Sequence, residues 1–76
     1  MTNQGGNHPP APYYSIEALI DREWTILWRL TLRSAAIDIA KEMAQVEHIR
    51  YHVYLHTRSN QRKHVFTARP PVKDTL

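Results

Sequence analysis

The stretch from Ile49 to Arg58, I-R-Y-H-V-Y-L-H-T-R, alternates almost without a fault. Successive side chains of an extended strand point to opposite faces. Ile49, Tyr51, Val53, Leu55 and Thr57 therefore share one face, and Arg50, His52, Tyr54, His56 and Arg58 share the other. The first set suits a core. The second is a ladder of cations, imidazoles and one phenol that contains no acid. A solvated strand face seldom collects such a set, so this ladder is the candidate binding surface.

Three further segments carry a clear period. Tyr14–Ile20 alternates, with Tyr14, Ile16, Ala18 and Ile20 on one face. After the polar break Asp21-Arg22-Glu23, residues 24–31 are rich in Trp, Ile, Leu and Thr, as strands are. Trp24, Ile26, Trp28 and Leu30 are expected on a common, core-facing side. The pair reads as a β-hairpin. A competing reading caps a helix with Ser15, with Tyr14 as a hydrophobic staple; the β-branched and aromatic content that follows disfavours it. Residues 32–45 form the best helix, with Thr31 as N-cap and Ala36, Ile39, Ala40 and Met43 as its apolar stripe. After Ser59–Lys63, a polar turn, residues 64–68 return as a last strand.

The order is β-β-α-β-β, which predicts an α+β fold. Its four-stranded, mostly antiparallel sheet carries one helix on one face. The stripe is expected to cover Ile16, Ile20, Ile26, Trp28, Val53 and Leu55, leaving the ladder on the open face. Residues 1–12 read as a disordered arm and 70–76 as a tail, around a single domain at 13–69. A body of roughly 57 residues buries only about 60% of its unfolded surface. With no cysteine, no disulfide or thiolate metal site can staple it. Dense aromatic packing or pairing of two copies through edge strands would compensate.

Charge is uneven along the chain. Residues 1–46 hold four Lys or Arg against five acids, whereas residues 47–69 hold five (Arg50, Arg58, Arg62, Lys63, Arg69) against Glu47 alone. Four of the five histidines lie in the second segment. Arg62 and Lys63 extend the ladder at the hairpin tip, and the whole favours an anionic partner. Tyr and Arg are enriched among protein-binding hot spots, while an open sheet with aromatics and cations also suits DNA or RNA. A solvated sheet face with no partner is the third reading, and all three stand on the sequence. Falling pH would add charge at His52 and His56 and strengthen such attachment.

Catalytic, cofactor and metal sites are not expected. His48, His52 and His56 recur every four residues, but on a strand His52 and His56 stand roughly 13 Å apart, too far to share one ion. The glycines, Gly5 and Gly6, form no phosphate loop, and no serine sits in a nucleophile elbow. No apolar run approaches the roughly 18 residues of a membrane span, and no signal peptide is recognisable. With cysteine lacking, the expectation is a soluble, cytoplasmic protein.

The segment from Glu23 to Ala44, E-W-T-I-L-W-R-L-T-L-R-S-A-A-I-D-I-A-K-E-M-A, resembles the hairpin-helix units of small phage- and mobile-element-encoded α+β proteins, anti-CRISPR proteins among them. Under a third of the chain carries the likeness, and no residue role transfers with it. The resemblance implies an inhibitor or adaptor that docks on a nucleic-acid-handling complex. Such inhibitors are often acidic mimics of nucleic acid. The basic C-terminal half departs from that and would have to meet an acidic protein surface or DNA itself.

Overall fold

The computed structural model describes residues 9–71. Most of the expected arm and tail therefore lies outside the described residues. Strands β1 (Tyr13–Ile20), β2 (Glu23–Leu30), β3 (Tyr51–His56) and β4 (Arg62–Ala68), with helix α1 (Arg33–Glu47) between β2 and β3, give the order β-β-α-β-β. The sheet order is β2-β1-β3-β4, and every neighbouring pair is antiparallel. No helix among the described residues is long and apolar enough to cross a membrane.

Residues 14–31 form the expected β-hairpin, and no helix starts at Ser15. Asp21 and Arg22 form the whole connection between β1 and β2, with φ of 52° and 69°. Two-residue hairpin turns of the I′ type require positive φ at both central positions, because only that twist matches the strands. Ser15 caps no helix; its hydroxyl bonds Glu17 on the same strand and His56 on β3.

Helix α1 packs on the sheet, most closely on β3 and β4, and buries Ala36, Ala40 and Ala44 fully. Residues four apart stack on one helix face, and three methyl side chains in a row let the helix sit close to the sheet. Ile39 and Met43 flank this stripe, half-buried. The N-cap is Leu32 rather than the expected Thr31, and it offers no side-chain bond; the Ala36 N–H reaches the Leu32 carbonyl at 3.1 Å. His48 ends the helix in the left-handed region at φ 62°, its N–H still bonded to the Ala44 carbonyl at 3.0 Å.

Strand β3 is shorter than its alternation suggests. Ile49 and Arg50 belong to the connection from α1, and Thr57 and Arg58 to the turn before β4. That turn closes by Thr57 N–H to the Gln61 carbonyl (2.9 Å) and Asn60 N–H to the Thr57 carbonyl (3.0 Å), with Asn60 at φ 68°. β4 consequently begins at Arg62, so Arg62 and Lys63 are strand residues and not a loop tip.

Two register shifts decide which side chains meet. Trp28 pairs with Ile16 but Ile26 pairs with Glu17, leaving Leu27 as an extra residue. Phe66 pairs with Val53 but His64 pairs with Tyr54, leaving Val65 extra. An extra residue reverses the parity of everything beyond it. The expected common face of Trp24, Ile26, Trp28 and Leu30 is therefore split. Trp28 and Leu30 oppose Ile16 and Tyr14 on the helix side, whereas Trp24 and Ile26 oppose Leu19 and Glu17 on the open side. Neither tryptophan is core: Trp24 is 54% exposed and Trp28 38%.

The core consists of Ile16, Ala18, Ala36, Ala40, Ala44, Tyr51, Val53 and Ala68. Five of these eight are alanines, so Ile16 and Val53 are the only large aliphatic side chains fully buried among the described residues. Phe66 joins from β4 and carries the Lys41 ammonium 5.7 Å from its ring centroid. Burial, with Glu47 nearby, raises the Tyr51 phenol above its ordinary range. The phenol therefore stays protonated in the core.

Candidate docking face

The polar parity of β1 places Tyr13, Ser15, Glu17 and Leu19 on the open side, between the outward residues of β2 and those of β3. Glu17 lies at the centre and is only 3% exposed. A buried carboxylate must be paired or hydrogen-bonded to stay charged. Arg62 meets it with two donors, Nη2 to Oε1 at 2.6 Å and Nε to Oε2 at 3.3 Å. Such fork-shaped contact is the strong form of the carboxylate–guanidinium pair. The other face of the guanidinium covers Tyr54, 3.7 Å from the ring centroid. The hydrogen bond to Glu17 holds the Arg62 guanidinium above its ordinary range.

Ser15 fixes the remaining geometry. Its hydroxyl donates to Glu17 Oε2 at 2.7 Å and lies 2.8 Å from His56 Nε2. A hydroxyl has one proton. With that proton on the carboxylate, the contact to His56 Nε2 requires the imidazole to donate to Ser15. Tyr13 stacks on His56 at 4.5 Å and 6°. A serine nucleophile needs the opposite polarity, with the imidazole accepting its proton. Ser15 is also completely buried. The arrangement ties β1 to β3 through buried side chains.

A second cluster continues toward β4. Thr67 Oγ1 lies 3.2 Å from His52 Nδ1 and 2.7 Å from His64 Nε2, so one hydroxyl joins two imidazoles. Tyr54 packs edge-on to His64 at 5.5 Å, and Trp24 packs edge-on to His52 at 5.1 Å. No three metal-ligating side chains converge among the described residues.

Burial lowers the His52 imidazole below its ordinary range, and His64, Arg50 and Arg62 lower it further against the opposing pull of Glu17. His52 thus favours its neutral form, contrary to the expectation that it gains charge readily as pH falls. The unfolded chain takes up this proton more easily, and stability rises with pH wherever the unfolded state binds more protons. The His52 contribution is complete above the unfolded value of about 6.5 and is lost as pH falls through that value toward the lower folded one. Melting temperatures at pH 7.5 and 5.5 should differ more for the wild type than for His52→Gln; equal differences would show that His52 is not the titrating group.

The structure gathers His52, Tyr54, His56 and Arg62 on one face, keeps Arg50 beside His52 in the cleft at its Trp24 end, and sets Arg58 and Lys63 apart. Arg50 is exposed ahead of β3, and Arg58 is exposed in the turn beyond its far end. Lys63 opposes Leu55 on the helix side. The acid-free ladder thus receives its acid from the neighbouring strand. Tyr13, Ser15, Glu17, Trp24, His64 and Thr67 complete the face. The alternation of β1 marks Ser15 and Glu17 as outward residues, but nothing in that alternation puts β1 beside β3.

Beside the polar network lies an apolar ridge, with Leu19 (51% exposed), Trp24 and Ile26 (38%) on the same open side. The ridge borders a cleft of about 530 Å³ lined by Leu19, Trp24, His48, Ile49, Arg50, His52 and Pro70. No family model, curated protein or solved structure matches this chain.

Proposed function

We propose that this chain is a small non-enzymatic binding protein, an inhibitor or adaptor that docks through its open sheet face on a protein complex that handles nucleic acid. The observation that carries the reading is the exposed Leu19–Trp24–Ile26 ridge beside a polar network that already satisfies itself. Large apolar side chains grouped on a surface mark interaction sites, and Trp is the residue most enriched at binding hot spots together with Tyr and Arg. The rings of Tyr13, Tyr54 and His56 are held in place by neighbours, so little side-chain entropy is lost on docking. The basic C-terminal half suits an acidic protein surface, and the layout resembling anti-CRISPR proteins supplies the nucleic-acid-handling context.

A direct DNA- or RNA-binding module is the second reading, favoured by the five cations between residues 47 and 69. Phosphate binding needs cations in a continuous track. Here the Arg62 charge is taken by Glu17, Arg50 and Arg69 lie at one end of the β3–β4 pair, Arg58 beyond the other, and Lys63 on the opposite side of the sheet.

Affinity capture from nuclease-treated and untreated lysate separates the two. The wild type should retain a discrete complex after nuclease. Trp24→Ala should lose it while melting within about 4 °C of the wild type, as surface substitutions do. Capture that disappears with nuclease, and an affinity falling steeply with salt, would establish the nucleic-acid module instead. Tyr54 is the poorer probe, because its ring supports Arg62 and its loss mixes folding with binding.

A further inference from the structure

We propose that the cleft at the Trp24 end of the open face seats an acidic, apolar segment of the partner protein, with one large aliphatic or aromatic side chain in the cleft and a flanking carboxylate on Arg50. The inference rests on the docking reading above and names what the face grips.

Leu19, Trp24, Ile49 and Pro70 supply apolar walls from β1, β2, the α1–β3 connection and the segment after β4. At about 530 Å³ the space falls within the range of roughly 300–1,000 Å³ typical of ligand sites, enough for a side chain and its adjoining backbone. Its polar lining is sparse and one-signed. None of the seven lining residues is acidic. Arg50 is the one permanently charged group there, exposed and outside every ion pair among the described residues. The nearby His52 is biased toward its neutral form by burial and surrounding cations.

A single arginine at the rim of an apolar hollow selects one carboxylate next to one apolar side chain. Nucleic acid would present a row of phosphates; Arg69, just before Pro70, is the one further cation at this end of the β3–β4 pair and does not line the cleft, and Arg58 lies beyond the far end of β3. Charge complementarity therefore favours a peptide segment over an oligonucleotide. A tryptophan forming one wall adds a large, rigid contact surface of the kind that anchors such segments.

The test is an NMR titration of the full chain, labelled with ¹⁵N, by the peptide acetyl-Glu-Leu-Phe-Glu-amide. The expected shifts centre on the Trp24 indole N–H, Leu19 and Ile49 to His52, with a Kd of about 1 mM or tighter. The all-Gln counterpart of the peptide, and separately Arg50→Gln, should each weaken binding by about tenfold, as expected for one lost charge-assisted contact. Trp24→Ala should remove the response.

Several results would overturn the proposal: no shifts up to about 10 mM peptide, equal binding of the Gln peptide, or shifts centred elsewhere. So would tighter binding of a thymidine trinucleotide, or cleft shifts that follow protein concentration without peptide, which would make a second copy the occupant. The failures are separable. A chain that captures a nuclease-resistant complex but ignores the peptide loses only the cleft assignment. A chain that binds the peptide yet captures nothing loses the docking function.

Discussion

Arg62→Ala should lower the melting temperature by about 8–16 °C. The substitution leaves the Glu17 carboxylate, 3% exposed, with the Ser15 hydroxyl as its near donor and His56 Nε2 at 3.9 Å. Breaking a fully buried pair costs about 3–5 kcal/mol, because the remaining charge stays desolvated; an exposed pair is worth about 0–1. The Arg62 side chain is 48% exposed, so water can enter where the guanidinium leaves, and we expect an intermediate loss of about 2 kcal/mol. In a domain of this size each kcal/mol shifts the melt by about 4–8 °C.

The sharper diagnostic is an asymmetry. Glu17→Gln removes the charge that needed burial and leaves Arg62 able to reach water, so its loss should be about half that of Arg62→Ala. Circular dichroism melts of both variants read this directly. Equal losses, or an Arg62→Ala shift under about 2 °C, would mean that the pair behaves as a solvated surface bridge.

Ile16→Ala should cost about 3 kcal/mol, within the range of about 2–5 for large-to-Ala deletions in a core. The expected loss is set by what surrounds the site. Ile16 is fully buried on central strand β1, beneath a helix that presents Ala36, Ala40 and Ala44. Alanines have no spare atoms to swing into a hole, so the cavity persists and its cost is not relieved. A single small domain has roughly 5 kcal/mol of stability at the low end of the usual range, and this one deletion removes most of it. Urea unfolding should show a markedly lower midpoint with an unchanged slope. Ile26→Ala deletes the same atoms on the open face, at 38% exposure, and should cost less than about 1 kcal/mol. Similar losses at the two positions would mean that the faces of β1 and β2 are assigned the wrong way round.

The contrast between Ile16 and Ile26 also shows where reading by sequence stops. Both are isoleucines in strands of clean alternation, and parity alone puts both under the helix. The helix stripe through Ala36 and Ala40, the hairpin at Asp21-Arg22 and the outward set His52, Tyr54 and His56 are local patterns. Each repeats within a few residues, and each is found in the structure. Ile26 departs because Leu27 is an extra residue between β1 and β2, and its neighbours cannot reveal that. Trp24 turns to the open face for the same reason, and the candidate surface acquires its apolar ridge.

The chain's alternation and periodicity determined the four strands, the helix, their order and the faces of β1 and β3, the strands that carry no extra residue. Period-2 and period-3.6 patterns are consequences of backbone geometry alone. The tertiary structure decided which outward residues meet. Glu17 and Arg62 stand 45 positions apart, and they pair because β1 and β3 are adjacent and because the extra Val65 swings Arg62 to the open side. Strand adjacency and bulge position follow from how the whole sheet closes over its alanine-lined core. A basic ladder without acids in the sequence thus becomes, once folded, a neutralised network with an exposed tryptophan at its edge.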